Sequence, residues 1–132
     1  MKPSTEKERA IVEAVRASLD GIPRREIYYQ NNPHPLAGHC YVAAEACYHL
    51  LGGKRAGYLP VRCHFWQGAD RVTHWWLEHQ DGTRIDPTAE QFGPESPSLA
   101  SIYSFGIGGG FLTRKPSRRA ALVIKRAQEK LA

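Results

Sequence analysis

The sequence predicts an α+β fold: an antiparallel sheet of three or more strands packed on a helix that carries a nucleophilic Cys40, with a helix at each terminus. Three observations predict it. Apolar residues recur at helical spacing over 5–19, over 40–51 and again after Ser117. Between the second and third of these stretches the pattern changes to alternation, over 61–66 and 72–79. Turn-forming segments, Gly68-Ala69-Asp70 and Gln80-Asp81-Gly82, separate the alternating runs and lead into a third strand over 83–86, which makes a meander.

The first helix is bounded by its own chemistry. Thr5 and Glu8 have capping-box spacing, Ile11, Val15 and Leu19 form one stripe, and Gly21 with Pro23 ends it. Residues 24–29 read as a short extended piece. Gln30-Asn31-Asn32-Pro33-His34-Pro35 reads as a loop, because two prolines and two asparagines suit neither a helix nor a strand interior.

In the second helix, 40–51, the residues Ala43, Ala44, Cys47, Leu50 and Leu51 make an apolar face that Gly52-Gly53 terminates. Its small side chains allow close approach to a sheet. In the first strand Val61, Cys63 and Phe65 alternate with Arg62, His64 and Trp66. After Pro87 the chain loosens into a loop over 93–98 and a glycine-rich one over 106–110. The latter lacks the Gly-Lys-Ser/Thr ending of a phosphate-binding loop and reads as a lid or linker. Pro116-Ser117 opens the last helix, with Ala121, Leu122, Ile124 and Leu131 as its apolar positions.

Composition narrows the class. A length of 132 residues suits one domain, and no apolar run approaches the roughly 18 residues of a membrane span. The start of the chain is charged and lacks the apolar stretch of a secretory signal. Three cysteines, an odd number and none spaced Cys-x-x-Cys, argue against a disulfide framework and for a reducing, cytoplasmic setting. The net charge of +5 collects near the C-terminus in Arg114, Lys115, Arg118, Arg119, Lys125 and Arg126. A solvated helix face accounts for this pattern; a nucleic-acid patch is the alternative.

Cys40, His74 and Asp86 occur in that order, each at the edge of an expected element. A thiol attacks as thiolate, an imidazole takes its proton, and a carboxylate orients and charge-stabilises the imidazole. A helix N-terminus favours the thiolate further. Read singly, Cys40 could be a small core hydrophobe, His74 structural and Asp86 the opening of a turn. Cys47, in mid-helix, and Cys63, in a strand, read as core. Hairpin geometry adds a condition. His74 and Asp86 share a sheet face only if the loop after His79 has an odd number of residues; a three-residue loop with Gly82 in the left-handed position satisfies this.

Three pieces of the segment 38–88 resemble a shortened transglutaminase-like core of the papain-like group. They are Gly38-His39-Cys40 opening a helix, His74-Trp75-Trp76-Leu77-Glu78 with the His-x-Trp-x-Glu form, and Asp81-Gly82 followed by Ile85-Asp86-Pro87-Thr88. The chain is also similar to small YunG-like proteins of bacteria and phages. The resemblance implies a single papain-like domain over 1–132, with Cys40 as nucleophile, His74 as base and then acid, and Asp86 as orienter. It leads to the expectation of a cysteine-dependent hydrolase or acyl transferase. Such an enzyme acts on an amide, isopeptide or ester bond of a protein or peptide-like substrate, through a thioester. Asn32 and His39 are candidate oxyanion donors beside the Cys40 N–H, and Trp75 and Trp76 are candidates for substrate contact or for shielding the imidazole. No cofactor or membrane partner is expected. A zinc site built from His39, Cys40, Cys63, His64 and His74 is disfavoured because no recognised ligand spacing is present. The competing reading is a catalytically silent binding module of the same fold, using its basic C-terminal helix on nucleic acid or an acidic protein.

Overall fold

The computed structural model describes residues 2–23, 36, 38–92 and 96–132. The extended piece at 24–29, the loop at 30–35 with Asn32, and part of the loop at 93–98 lie outside the described residues. The element order is α1 (Glu6–Arg16), α2 (Cys40–Leu50), β1 (Tyr58–Gln67), β2 (Asp70–His79), β3 (Arg84–Ile85), α3 (Leu99–Ser104), β4 (Ile107–Gly108) and α4 (Arg118–Leu131). The fold is α+β, with a four-stranded antiparallel sheet in the order β3-β2-β1-β4 and helices at both ends.

The capping box of α1 forms as the spacing requires: the Thr5 hydroxyl accepts from the Glu8 N–H at 3.1 Å, and Glu8 accepts from the Thr5 N–H at 2.7 Å. Glu8 is buried, and its other oxygen accepts from the Tyr58 hydroxyl at 2.6 Å, which ties α1 to the start of β1. In α2 burial is not confined to one stripe. Val42, Ala43, Ala44, Glu45, Ala46 and Cys47 are all buried, since the helix is enclosed by α1, α4 and the sheet. The buried Glu45 carboxylate accepts from both the backbone N–H and the hydroxyl of Ser117, at 2.8 and 2.7 Å. It thereby fixes the N-terminus of α4 and satisfies its own charge with donors at the positive end of that helix.

Three sequence expectations need correction. In α4 the buried stripe is Ala120, Val123 and Ala127; Leu122 and Leu131 are more than 40% exposed, and Ala121 is also exposed. Small residues face α1 and α2 because the helices pack closely, so size outweighed hydrophobicity. The glycine-rich stretch is not only a linker, because Ile107 and Gly108 pair with Arg62 and Val61 as an edge strand. A Cβ on Gly106 would stand 2.7 Å from both Trp76 and Val61, so glycine there permits close approach to the core. Residues 99–104, read as loosened chain, form α3, capped by the Ser98 side chain on the Ser101 N–H.

The sheet separates two apolar clusters. One face, with Tyr58 and Leu77, packs on α1, α2 and α4; the other, with Val61, Cys63 and Trp76, packs on Ile102 of α3. No helix among the described residues is long and apolar enough to cross a membrane.

Candidate active site

His74 is placed by the β2–β3 hairpin. Leu77 pairs with Ile85 and Glu78 with Arg84, and His79 N–H donates to Thr83 O at 2.8 Å, which leaves a three-residue loop, Gln80-Asp81-Gly82. Gly82 has φ +97°, the left-handed position that closes such a loop. Asp81 locks it by accepting from the Thr83 N–H and hydroxyl at 2.9 and 2.7 Å, which hold its carboxyl well below the usual range. The same register continued by one step sets Asp86 opposite Trp76, hence on the face of His74. His74 Nε2 and Asp86 Oδ2 are 2.7 Å apart, with both side chains nearly inaccessible to solvent.

The thiol comes from a different direction. Gly38 has φ +82°, His39 is the N-cap of α2, and Cys40 is its first residue. β3 is only two residues long and pairs with β2 at Leu77 and Glu78 alone, so it leaves the β2 backbone beside Thr73 clear of a β3 partner. There Cys40 Sγ donates to the Thr73 carbonyl at 3.4 Å, one residue from His74. Because Nε2 is engaged with Asp86, Nδ1 is the ring nitrogen left for the thiol. Burial by itself would lower the His74 pKa, but hydrogen bonds and charge from Asp86 and Cys40 outweigh it and raise the imidazole to about 9. Cys47 and Cys63 are buried, and loss of hydration pushes both thiols up; Cys40 is half-buried.

The ring is enclosed by apolar neighbours. Trp76 stacks against His74 with centroids 5.6 Å apart, and Phe92 meets it edge-on at 4.7 Å. Trp76 has 0% exposure, which excludes it from the substrate-contact role that the sequence offered; it shields the imidazole. Trp75, on the opposite face, is half-buried among Tyr41 and Phe111, with ring centroids 5.0 and 5.4 Å away. His39 is 5% exposed, and its carbonyl accepts from the Ala43 N–H at 2.8 Å.

Two residues were missed from sequence. Tyr103 of α3 donates its hydroxyl to Asp86 Oδ2 at 2.7 Å, and the Arg84 guanidinium lies 3.9 Å over its ring. Gln91 Nε2 lies 3.5 Å from His74 Nδ1 and donates to Thr88 O and Oγ1. Ser98-Leu99 with Ile102 and Tyr103 at helical spacing was the available signal for α3; nothing local marked Gln91. Among the described residues no three His, Cys, Asp or Glu side chains gather as a metal site.

In comparisons with protein-family models, with curated proteins and with solved structures, nothing matches this chain.

Proposed function

We propose that this protein is a cysteine-dependent hydrolase or acyl transferase acting on amide, isopeptide or ester bonds, as the transglutaminase-like resemblance implies. One observation carries the reading: a buried His74 is held through Nε2 by Asp86 while the Cys40 thiol, at a helix start, lies within reach of the same ring. The His74 imidazole, raised to about 9, takes the Cys40 thiol proton and holds it, so that Cys40 attacks as thiolate. The Cys40 sulfur bonds the acyl carbon while His74 passes its proton to the departing amine or alcohol. The neutral ring then takes a proton from water or an incoming amine, which displaces sulfur from the thioester and yields an acid or a new amide. The Cys40 backbone N–H is one donor for the oxyanion.

The binding-module reading draws less support. Arg119 donates to Pro23 O, and Arg126 to Ser18 O and Asp20 O, so these two cations brace α4 against the end of α1.

The test is site-mapped iodoacetamide labelling between pH 5 and 8, followed by a thiol-directed acyl probe. Cys40 labels first and His74→Ala slows it; preferential labelling of Cys47 or Cys63 in the folded protein defeats the assignment.

A further inference from the structure

The β1–β2 ribbon carries a second organised surface. Strand alternation and register set three rungs on the face opposite His74: Arg62 with Trp75, His64 with Thr73, and Trp66 with Arg71. At the α2 end this face is covered through Tyr58 and Leu77, but toward the hairpin tip it opens. Trp66 is 67% exposed, and His64 and Arg71 are exposed as well. Arg62 lies 5.7 Å over the Trp75 ring, and His64 Nδ1 and Thr73 Oγ1 are 2.7 Å apart. None of the six residues is a carboxylate. Burial and the two flanking guanidiniums lower the His64 pKa, so the charge of the strip comes from Arg62 and Arg71. The middle rung contains Thr73, whose carbonyl takes the Cys40 thiol.

We infer that this strip is the docking face for the acyl donor, an extended peptide bearing acidic side chains that passes the Cys40 thiol. The inference rests on the Cys40 reading and adds the substrate class. Arg62 and Arg71 stand two rungs apart, about 13 Å along the ribbon, the distance between same-side residues i and i+4 of an extended peptide. Carboxylates there meet guanidiniums, which bind them with directed hydrogen bonds, while the exposed Trp66 ring beside Arg71 offers flat apolar contact. A single-stranded nucleic acid would also find cations and aromatic faces, but it presents no acyl carbon to a thiol.

Binding is measured by fluorescence anisotropy on the full chain carrying Cys40→Ala, so that no chemistry intervenes. The probes are a labelled peptide with Glu four residues apart around a Gln, its counterpart with Lys at both positions, and an oligo-dT. The Glu peptide binds about tenfold more tightly than the Lys peptide at low salt, and the gap closes as salt rises. Arg71→Glu removes the preference, Arg71→Gln and Trp66→Ala each weaken the Glu peptide several-fold, and Arg118→Glu on α4 has no effect. Equal binding of both peptides, insensitivity to Arg71→Gln, or tighter binding of oligo-dT overturns the inference. Because the assay needs no thiol, its failure alongside intact Cys40 labelling removes the docking strip alone. Intact binding with failed labelling removes the Cys40 reading and the acyl-donor role with it, and leaves a strip that binds acidic peptides.

Discussion

Asp86 Oδ2 accepts from His74 Nε2 and from the Tyr103 hydroxyl, both at 2.7 Å, while its buried Oδ1 has no hydrogen-bond partner among the described residues. Both donors therefore converge on one oxygen, and the carboxylate has little reason to turn. On the proposed mechanism this oxygen does two things: it orients the ring and it stabilises the imidazolium. Replacing Asp86 by Asn preserves an acceptor but removes the charge. Asp86→Asn then lowers the acylation rate by roughly 100-fold, less than Cys40→Ala, which removes the bond-forming atom altogether. The pH profile separates the two roles. Wild-type acylation needs the His74 proton and falls as pH rises through about 9. In Asp86→Asn burial dominates the ring, and this alkaline limb moves down by about one unit or more. A slower enzyme with an unmoved limb shows that Asp86 acts elsewhere, and an Asn variant as inactive as Cys40→Ala while still folded makes it more than an orienter.

The β2–β3 hairpin sets which face Asp86 occupies, and this was legible in the sequence because side chains alternate and a glycine was available for a left-handed loop position. The start of α2 at Cys40 was legible for the same kind of reason, as was the capping box of α1. What was not legible depended on contacts distant in sequence. The buried stripe of α4 is built on Ala120 and Ala127, whose burial follows from how closely two other helices approach, not from local hydropathy. Tyr103 joins the site from a six-residue helix, and the residue it bonds, Asp86, lies 17 positions away in sequence. β4 was hidden because a two-residue edge strand rich in glycine looks like a linker. The glycines themselves distinguish strand from linker. Gly106→Ala drives a Cβ to 2.7 Å from Trp76 and Val61, and a cost of about 1–3 kcal/mol is expected in urea unfolding. Gly110, with nothing within 4 Å and no positive φ, tolerates the same change within about 0.5 kcal/mol. Equal effects at the two positions contradict the packing of this segment against the back of the His74 shield.

At the scale of the whole molecule, the charged His74 couples folding to pH. Its folded pKa of about 9 lies above the ordinary value of 6.5, so the folded state binds this proton more tightly than the unfolded chain does. The stabilisation is fully present below 6.5 and is lost as pH rises through about 9. The difference corresponds to a contribution on the order of 3 kcal/mol for a group this enclosed. The melting temperature is therefore expected to fall by roughly 5–10 °C between pH 6.5 and pH 9.5. Among the other groups with displaced pKa values, the Cys47 and Cys63 thiols act at the alkaline end of this interval: burial raises both above the ordinary 9.0, so the unfolded thiols ionise first and stability is lost there. The Asp81 carboxyl is lowered and matters only in acid, while Tyr58 and Tyr103 are raised and ionise only in stronger alkali. The difference between wild type and a variant that lacks the His74–Asp86 pair therefore isolates His74. The check is a series of thermal melts on wild type and on the double variant His74→Gln Asp86→Asn, in which neutral amides replace both partners and avoid leaving a lone buried carboxylate. The double variant keeps only the thiol share of the fall, at the alkaline end, and is flat below it. If it follows wild type down in parallel, the alkaline loss belongs to another group, and the coupling of His74 to Asp86 and Cys40 is weaker than their geometry implies.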